Sequence, residues 1–218
     1  RAVSDALDRF SDHYYRRRPV NATFTGVHAY DDQLPDWSSD GLAALDGEMR
    51  ALSRELGSLK DDAHGVDVEL AQAFLEIQLA ENESGHGVRT NPSLWAGEAI
   101  FSIVGLMTRD FAPVRQRVES ARARLAGIPP FLAQAEATIG ARAIPAAWTA
   151  RARRECEGAC ILLTTGVERW ITSADLSPAS AAELLTVARV ANRAFARFAD
   201  WLASRPPSLD SALACGPD

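Results

Sequence analysis

Four groups of residues have the types and spacing to do chemistry. Asp31, Asp32 and Asp36, within NATFTGVHAYDDQLPDWSSD, form an acidic cluster that could hold Mg²⁺ for diphosphate chemistry in a helix-walled cavity. Pro35 interrupts it and no second metal motif follows, so turn and capping chemistry is the preferred reading. Glu83 and His86 have the i, i+3 spacing of di-iron bundles, which need that pair twice with two further glutamates. His86 falls between Gly85 and Gly87, where a helix should already have ended. Cys156 and Cys160, four apart on one helical face, could supply two ligands of a four-ligand metal site. No other Cys or His has a matching spacing, and small core residues are the preferred reading. His28, beside Tyr30 and Asp31, is the most interesting histidine; its plainer reading is a structural ring bonded to a loop carbonyl.

The missing motifs narrow the field further. His13, His28, His64 and His86 never form HExxH, the helical pair that presents two zinc ligands and a general base. There is no P-loop, no dinucleotide-binding glycine motif and no serine nucleophile elbow. The residues alone give no complete active site. A net charge of −6 argues against a nucleic-acid partner, since counterion release needs a basic face. The longest apolar run, Ala99 to Met107, is broken by Ser102 and Gly105 and falls far short of the roughly 20 residues of a membrane span, so no membrane partner is expected. Three cysteines, Cys156, Cys160 and Cys215, make no disulfide framework; a reducing, cytoplasmic setting is expected, although the chain starts at Arg1 and a removed signal peptide stays open.

The elements that must position these residues are all helical. Hydrophobic content of 47% over 218 residues is enough for a full core, expected as one all-α domain of long antiparallel helices over 1–205, with 206–218 as a tail. Val3, Leu7, Phe10 and Tyr14 predict a first amphipathic helix to about Arg18, broken by Pro19. Asn21 to Asp40 has no sustained period and reads as an ordered loop. Leu42, Leu45, Met49, Leu52, Leu56 and Leu59 form a narrow stripe, expected to pair antiparallel with a helix from Val66 to about Glu83 that turns Leu70, Phe74 and Ile77 inward.

Pro92 opens the next helix, whose wide apolar face runs from Trp95 to Met107. Asp110 is a candidate N-cap for the one after, in which Val114, Val118, Ala121 and Leu125 face in while Arg115, Arg117, Arg122 and Arg124 face out. Gly127 to Pro130 should stop that helix and start another. A stop at Ala143 to Pro145 precedes a long helix carrying Trp148, Ala152, Cys156, Cys160, Leu163, Val167 and Trp170. Ser177 and Pro178 open the last, which buries Leu184, Ala188, Ala191, Phe195, Phe198 and Leu202.

The order of local motifs resembles a known family. TFTGVHAYDDQLPDWS, NPSLW, TRDFAPVRQRVESARARLAGIPPFLAQA and the Pro145 to Trp148 turn come one after another as in the bacterial domain-of-unknown-function 885 family, from about Tyr15 to Asp218. Thr25, Gly26, His28, Asp31, Leu34, Pro35 and Ser38, then Arg109, Phe111, Pro113, Arg124, Leu125, Ile128 and Pro129, match in type and order. Proteins of that family look like zinc metallopeptidases similar to helical carboxypeptidases, with a His-Glu-led zinc motif in a C-terminal half. The resemblance implies that this chain corresponds to the N-terminal lobe. Zinc is then expected in the C-terminal half, with no metal and no catalytic residue in this chain. It further implies that Thr25, His28, Tyr30 and Asp31 are substrate-cleft candidates, and that the partners are the chain's own C-terminal half and a peptide substrate. The competing expectation is a stand-alone helical binding module without catalysis; a homo-oligomer is open under either.

Overall fold

The computed structural model describes residues 2–59, 65–84 and 87–206. Among them every regular element is helical: α1 (Ala2–Arg17), α2 (Pro19–Thr25), a 3₁₀ turn (His28–Tyr30), α3 (Ser39–Ser58), α4 (Gly65–Ser84), α5 (Pro92–Thr108), α6 (Val114–Ile139), α7 (Ala146–Ile161), a π-helical turn (Leu162–Gly166), α8 (Val167–Ser173) and α9 (Pro178–Ala203). His64, His86, Cys215 and the expected tail from 207 lie outside the described residues.

Start signals written in the sequence set several boundaries. Asn91 and Ser177 accept backbone N–H groups at the first turns of α5 and α9, and Pro92 and Pro178 come next, where a missing N–H does no harm. Ser38 does the same for α3, accepting from the Gly41 amide. Pro19 ends α1 and opens α2.

The helices sort into two groups. α5, α6, α7 and α9 pack on one another around Trp95, Ile103, Leu125, Phe131, Phe195 and Phe198. α1, α3 and α4 enclose a smaller core of Val3, Leu42, Met49, Leu56 and Leu75. Trp37 and Val88 pack against both cores and join them. As expected, α3 pairs with α4, and Leu184, Ala188, Ala191, Phe195, Phe198 and Leu202 are all buried.

Several expectations fail, each for a tertiary reason. Residues 21–25 continue helix α2, and the loop begins only at Gly26. α6 does not stop at Gly127: it runs through Pro129 and Pro130 to Ile139. An interior proline costs roughly 3 kcal/mol. Here Leu125, Ile128, Phe131, Leu132 and Ala135 are buried on both sides of the pair, and burial worth about 1.5–3 kcal/mol per large side chain outweighs that cost. Asp110 is not the N-cap of α6, a place taken by Pro113; its carboxylate receives Arg117 Nη2 at 2.7 Å. Arg117 and Arg124 face inward, not out. On α4 the buried stripe is Val68, Ala71 and Leu75, while Leu70 and Ile77 are 65% and 64% exposed and Phe74 is half-buried. α4 carries apolar residues on two faces, and its seat against α1 and α3 selects one of them.

Candidate functional site

The loop after α2 is fixed from within. Gly26 ends α2 at φ +92°, a left-handed conformation that glycine adopts without a Cβ clash. The chain then turns through His28–Tyr30 and buries Asp31. Asp31 Oδ1 accepts the Thr23 hydroxyl at 2.6 Å, and Asp31 Oδ2 lies 3.1 Å from His28 Nδ1. Thr23 in turn accepts from Arg124 Nη2 at 2.8 Å. The completely buried Arg124 also donates to the carbonyls of Gln33 (3.0 Å), Ser102 (2.8 Å), Pro19 (3.0 Å) and Tyr30 (3.2 Å). One side chain on α6 thereby ties down α2, the loop and α5. Burial lowers the Arg124 pKa to about 10, against the pull of Asp31 and Glu98, and leaves it a cation at neutral pH.

His28 bonds a carboxylate rather than the expected carbonyl, and its ring stacks on Phe111 at 3.8 Å and 8°. A proton on Nδ1 held by Asp31 turns the other nitrogen, Nε2, into the free acceptor of a partly exposed ring. The chain of contacts His28–Asp31–Thr23–Arg124 fixes the imidazole in place.

The four cleft candidates do not converge. His28 and Asp31 are joined. The Tyr30 hydroxyl instead donates to Asp12 on α1 at 3.0 Å. Thr25 donates back to Asn21 O at 3.0 Å and lines a different feature, a groove of about 590 Å³ among α1, α2 and α4 beside Leu7, Phe10, Tyr14 and Phe74. The acidic cluster is also dispersed: Asp31 points in, Asp32 is exposed, and Asp36 accepts the Ser38 amide at 3.0 Å in a turn. Cys156 is buried, its thiol pushed up to about 12 chiefly by burial, and Cys160 is half-buried; both are free. Among the described residues no group of three His, Cys, Asp or Glu side chains is arranged to hold a metal ion.

A second cluster carries no motif in the sequence. Glu98 is the one carboxylate in the otherwise apolar PSLWAGEAIFSIVGLM, and that isolation is the signal that could have found it. It lines a cavity of about 180 Å³ with Arg17, Arg18, Gln78 and Asn82. Burial raises the Glu98 carboxyl to about 7, opposed by the charges of Arg124 and Arg18. Arg18 lies over the rings of Tyr14 and Phe74, and its Nη1 is buried without a hydrogen-bond partner.

Comparison with known proteins gives three findings. The family model described as "Bacterial protein of unknown function (DUF885)" matches residues 19–213. No curated protein matches the chain. A solved structure from Shewanella oneidensis, described as "a putative lipoprotein of unknown function", superposes with a TM-score of 0.80 at 21% identity. The match covers 93% of this chain and 37% of that one, a likeness of fold.

Proposed function

The chain belongs to the bacterial DUF885 family, and on that premise we propose that it is a helical lobe of a zinc-peptidase-like hydrolase, forming one wall of the substrate cleft and inactive alone. The observation that carries this reading is the Shewanella match, in which nearly all of this fold corresponds to little more than a third of a larger chain. The zinc would be held by the other part of such a protein, since among the described residues no group of three such donors is arranged to hold a metal ion. This lobe would contribute the His28–Asp31 pair as a rigid hydrogen-bonding group facing a peptide. The exposed Val66, Leu70 and Ile77 of α4 form the kind of apolar surface a second lobe covers. A cytoplasmic setting goes with the free Cys156 and Cys160; the word lipoprotein for the neighbour makes the cell envelope the competing site, and fractionation separates the two.

The test is peptide hydrolysis and zinc content of a full-length family protein carrying this lobe, beside the 218-residue chain. Hydrolysis and about one zinc per molecule in the full-length protein, with neither in the lobe, is the expected result. His28→Ala should raise KM more than it lowers kcat. A zinc-free, inactive full-length protein overturns the reading. A second reading, a helical binding module without catalysis, draws on the groove beside Thr25, Phe10 and Phe74; peptide binding by the lobe with no turnover in any form would favour it.

A further inference from the structure

The cavity beside Glu98 lies at the seam between the two helical groups, where Trp37 and Val88, which pack on both cores, form part of its wall. Most of the polar groups on that wall are already engaged. Arg17 Nε donates to Glu48 at 2.9 Å, and Asn82 donates to Asp46 at 2.6 Å. Gln78 accepts from Arg18 Nη2 at 2.7 Å and donates to Glu81 at 3.1 Å. Two groups of opposite sign are left. Arg18 Nη1 is buried with no partner, and the Glu98 carboxylate has no hydrogen bond or ion pair among the described residues. Arg18 and Glu98 feel each other's charge without pairing directly.

We propose that this cavity binds a free aliphatic α-amino acid, its carboxylate on the Arg18 guanidinium, its ammonium on Glu98 and its side chain against Val88 and Leu94. The choice of class rests on charge and size. A simple anion placed there meets Glu98 and Glu81, and a simple cation meets Arg17 and Arg18. A neutral molecule carrying both signs satisfies each free group and leaves the local charge unchanged. A volume of about 180 Å³ has room for a small molecule of the size of a single amino acid. The proposal is independent of the peptidase reading, since it concerns a cavity to which neither Thr25 nor His28 contributes.

Calorimetric titration of the 218-residue chain with three probes tests it: L-leucine, leucinamide, which lacks the carboxylate, and 4-methylpentanoate, which lacks the amine. Leucine is expected to bind with a Kd of about 1 mM or tighter, and each truncated probe at least about tenfold more weakly, about 1.4 kcal/mol. In Glu98→Gln, a near-isosteric change, leucine and 4-methylpentanoate should become equivalent; in Arg18→Gln, leucine and leucinamide should. Arg18→Gln also loses ring contacts, so its helicity is checked by circular dichroism, and Glu98→Gln carries the test if that variant unfolds. No binding of leucine, equal binding of all three probes, or leucine affinity unchanged in Glu98→Gln overturns the proposal.

Discussion

The two helical groups anchor their buried arginines differently. In and around the α5–α6–α7–α9 group the buried arginines are fully engaged, Arg124 with five acceptors and Arg117 with the carbonyls of Ala112 and Leu106 and the Asp110 carboxylate, while Gln134 Oε1, Glu136 Oε1 and Asn192 Oδ1 are buried without hydrogen-bond partners. In the α1–α3–α4 group His13 Nε2 is buried without a partner, as is Nη1 of Arg18 at the junction of α1 and α2, and ion pairs such as Arg9–Glu55 and Arg50–Glu83 lie exposed. Val66, Leu70 and Ile77 stay in solvent. Unpaired atoms and exposed apolar residues such as Phe101 and Ile161 also occur in the first group, so what separates the two is the anchoring of their arginines: Arg117 and Arg124 hold backbone carbonyls, whereas Arg18 keeps one nitrogen unbonded.

The sharpest way to break this contrast is Arg124→Met. It leaves Asp31 buried without its nearby cation and orphans several carbonyls, so a loss of about 3–5 kcal/mol is expected in urea unfolding. An unchanged midpoint would mean that Arg124 fills space rather than organises the loop. Next come paired truncations: Phe198→Ala should cost roughly 3–5 kcal/mol, whereas Leu70→Ala should stay within about 0.5 kcal/mol, and comparable losses at the two sites would erase the distinction.

Titration gives a smaller effect with a definite sign. The Glu98 pKa is raised from 4.5 to about 7 on folding, so its contribution to stability is complete below pH 4.5 and is lost as pH rises through 7. The His13 pKa is lowered on folding, chiefly by burial, so its contribution is complete above pH 6.5 and falls away as pH drops through the folded value. Glu98→Gln should therefore raise thermal stability at pH 8 and remove the decline between pH 4.5 and 7. A variant with the same pH profile as the parent would show that Glu98 is effectively solvated. The smallest change belongs to the surface: Glu83→Gln, which breaks the exposed pair with Arg50, should shift stability by about 0.5 kcal/mol or less.

The loop shows how far a site can be read before folding. Its turn residues, and the pairing of interest between His28 and Asp31, are visible as neighbours three apart. Arg124, far along the chain on α6, is not, because an arginine on an amphipathic helix is ordinarily solvated. Only the convergence of carbonyls from Pro19, Tyr30, Gln33 and Ser102 makes burial of its charge tolerable. Glu98 is marked in the sequence by its isolation in an apolar run, but only the fold shows that Arg17 and Arg18 line the same cavity.

What the sequence determined by itself is the part governed by short-range chemistry: helical class, the helix starts at Pro92 and Pro178 with the Ser177 cap, and the apolar faces of α3 and α9. Tertiary structure decided which apolar face of α4 is covered, whether α6 passes through Pro129 and Pro130, which arginines turn inward, and which charges meet in one cavity. Capping and periodicity act within a turn or two of helix, whereas the free energy of burying a methyl, a proline or a charge depends on what the rest of the chain places against it.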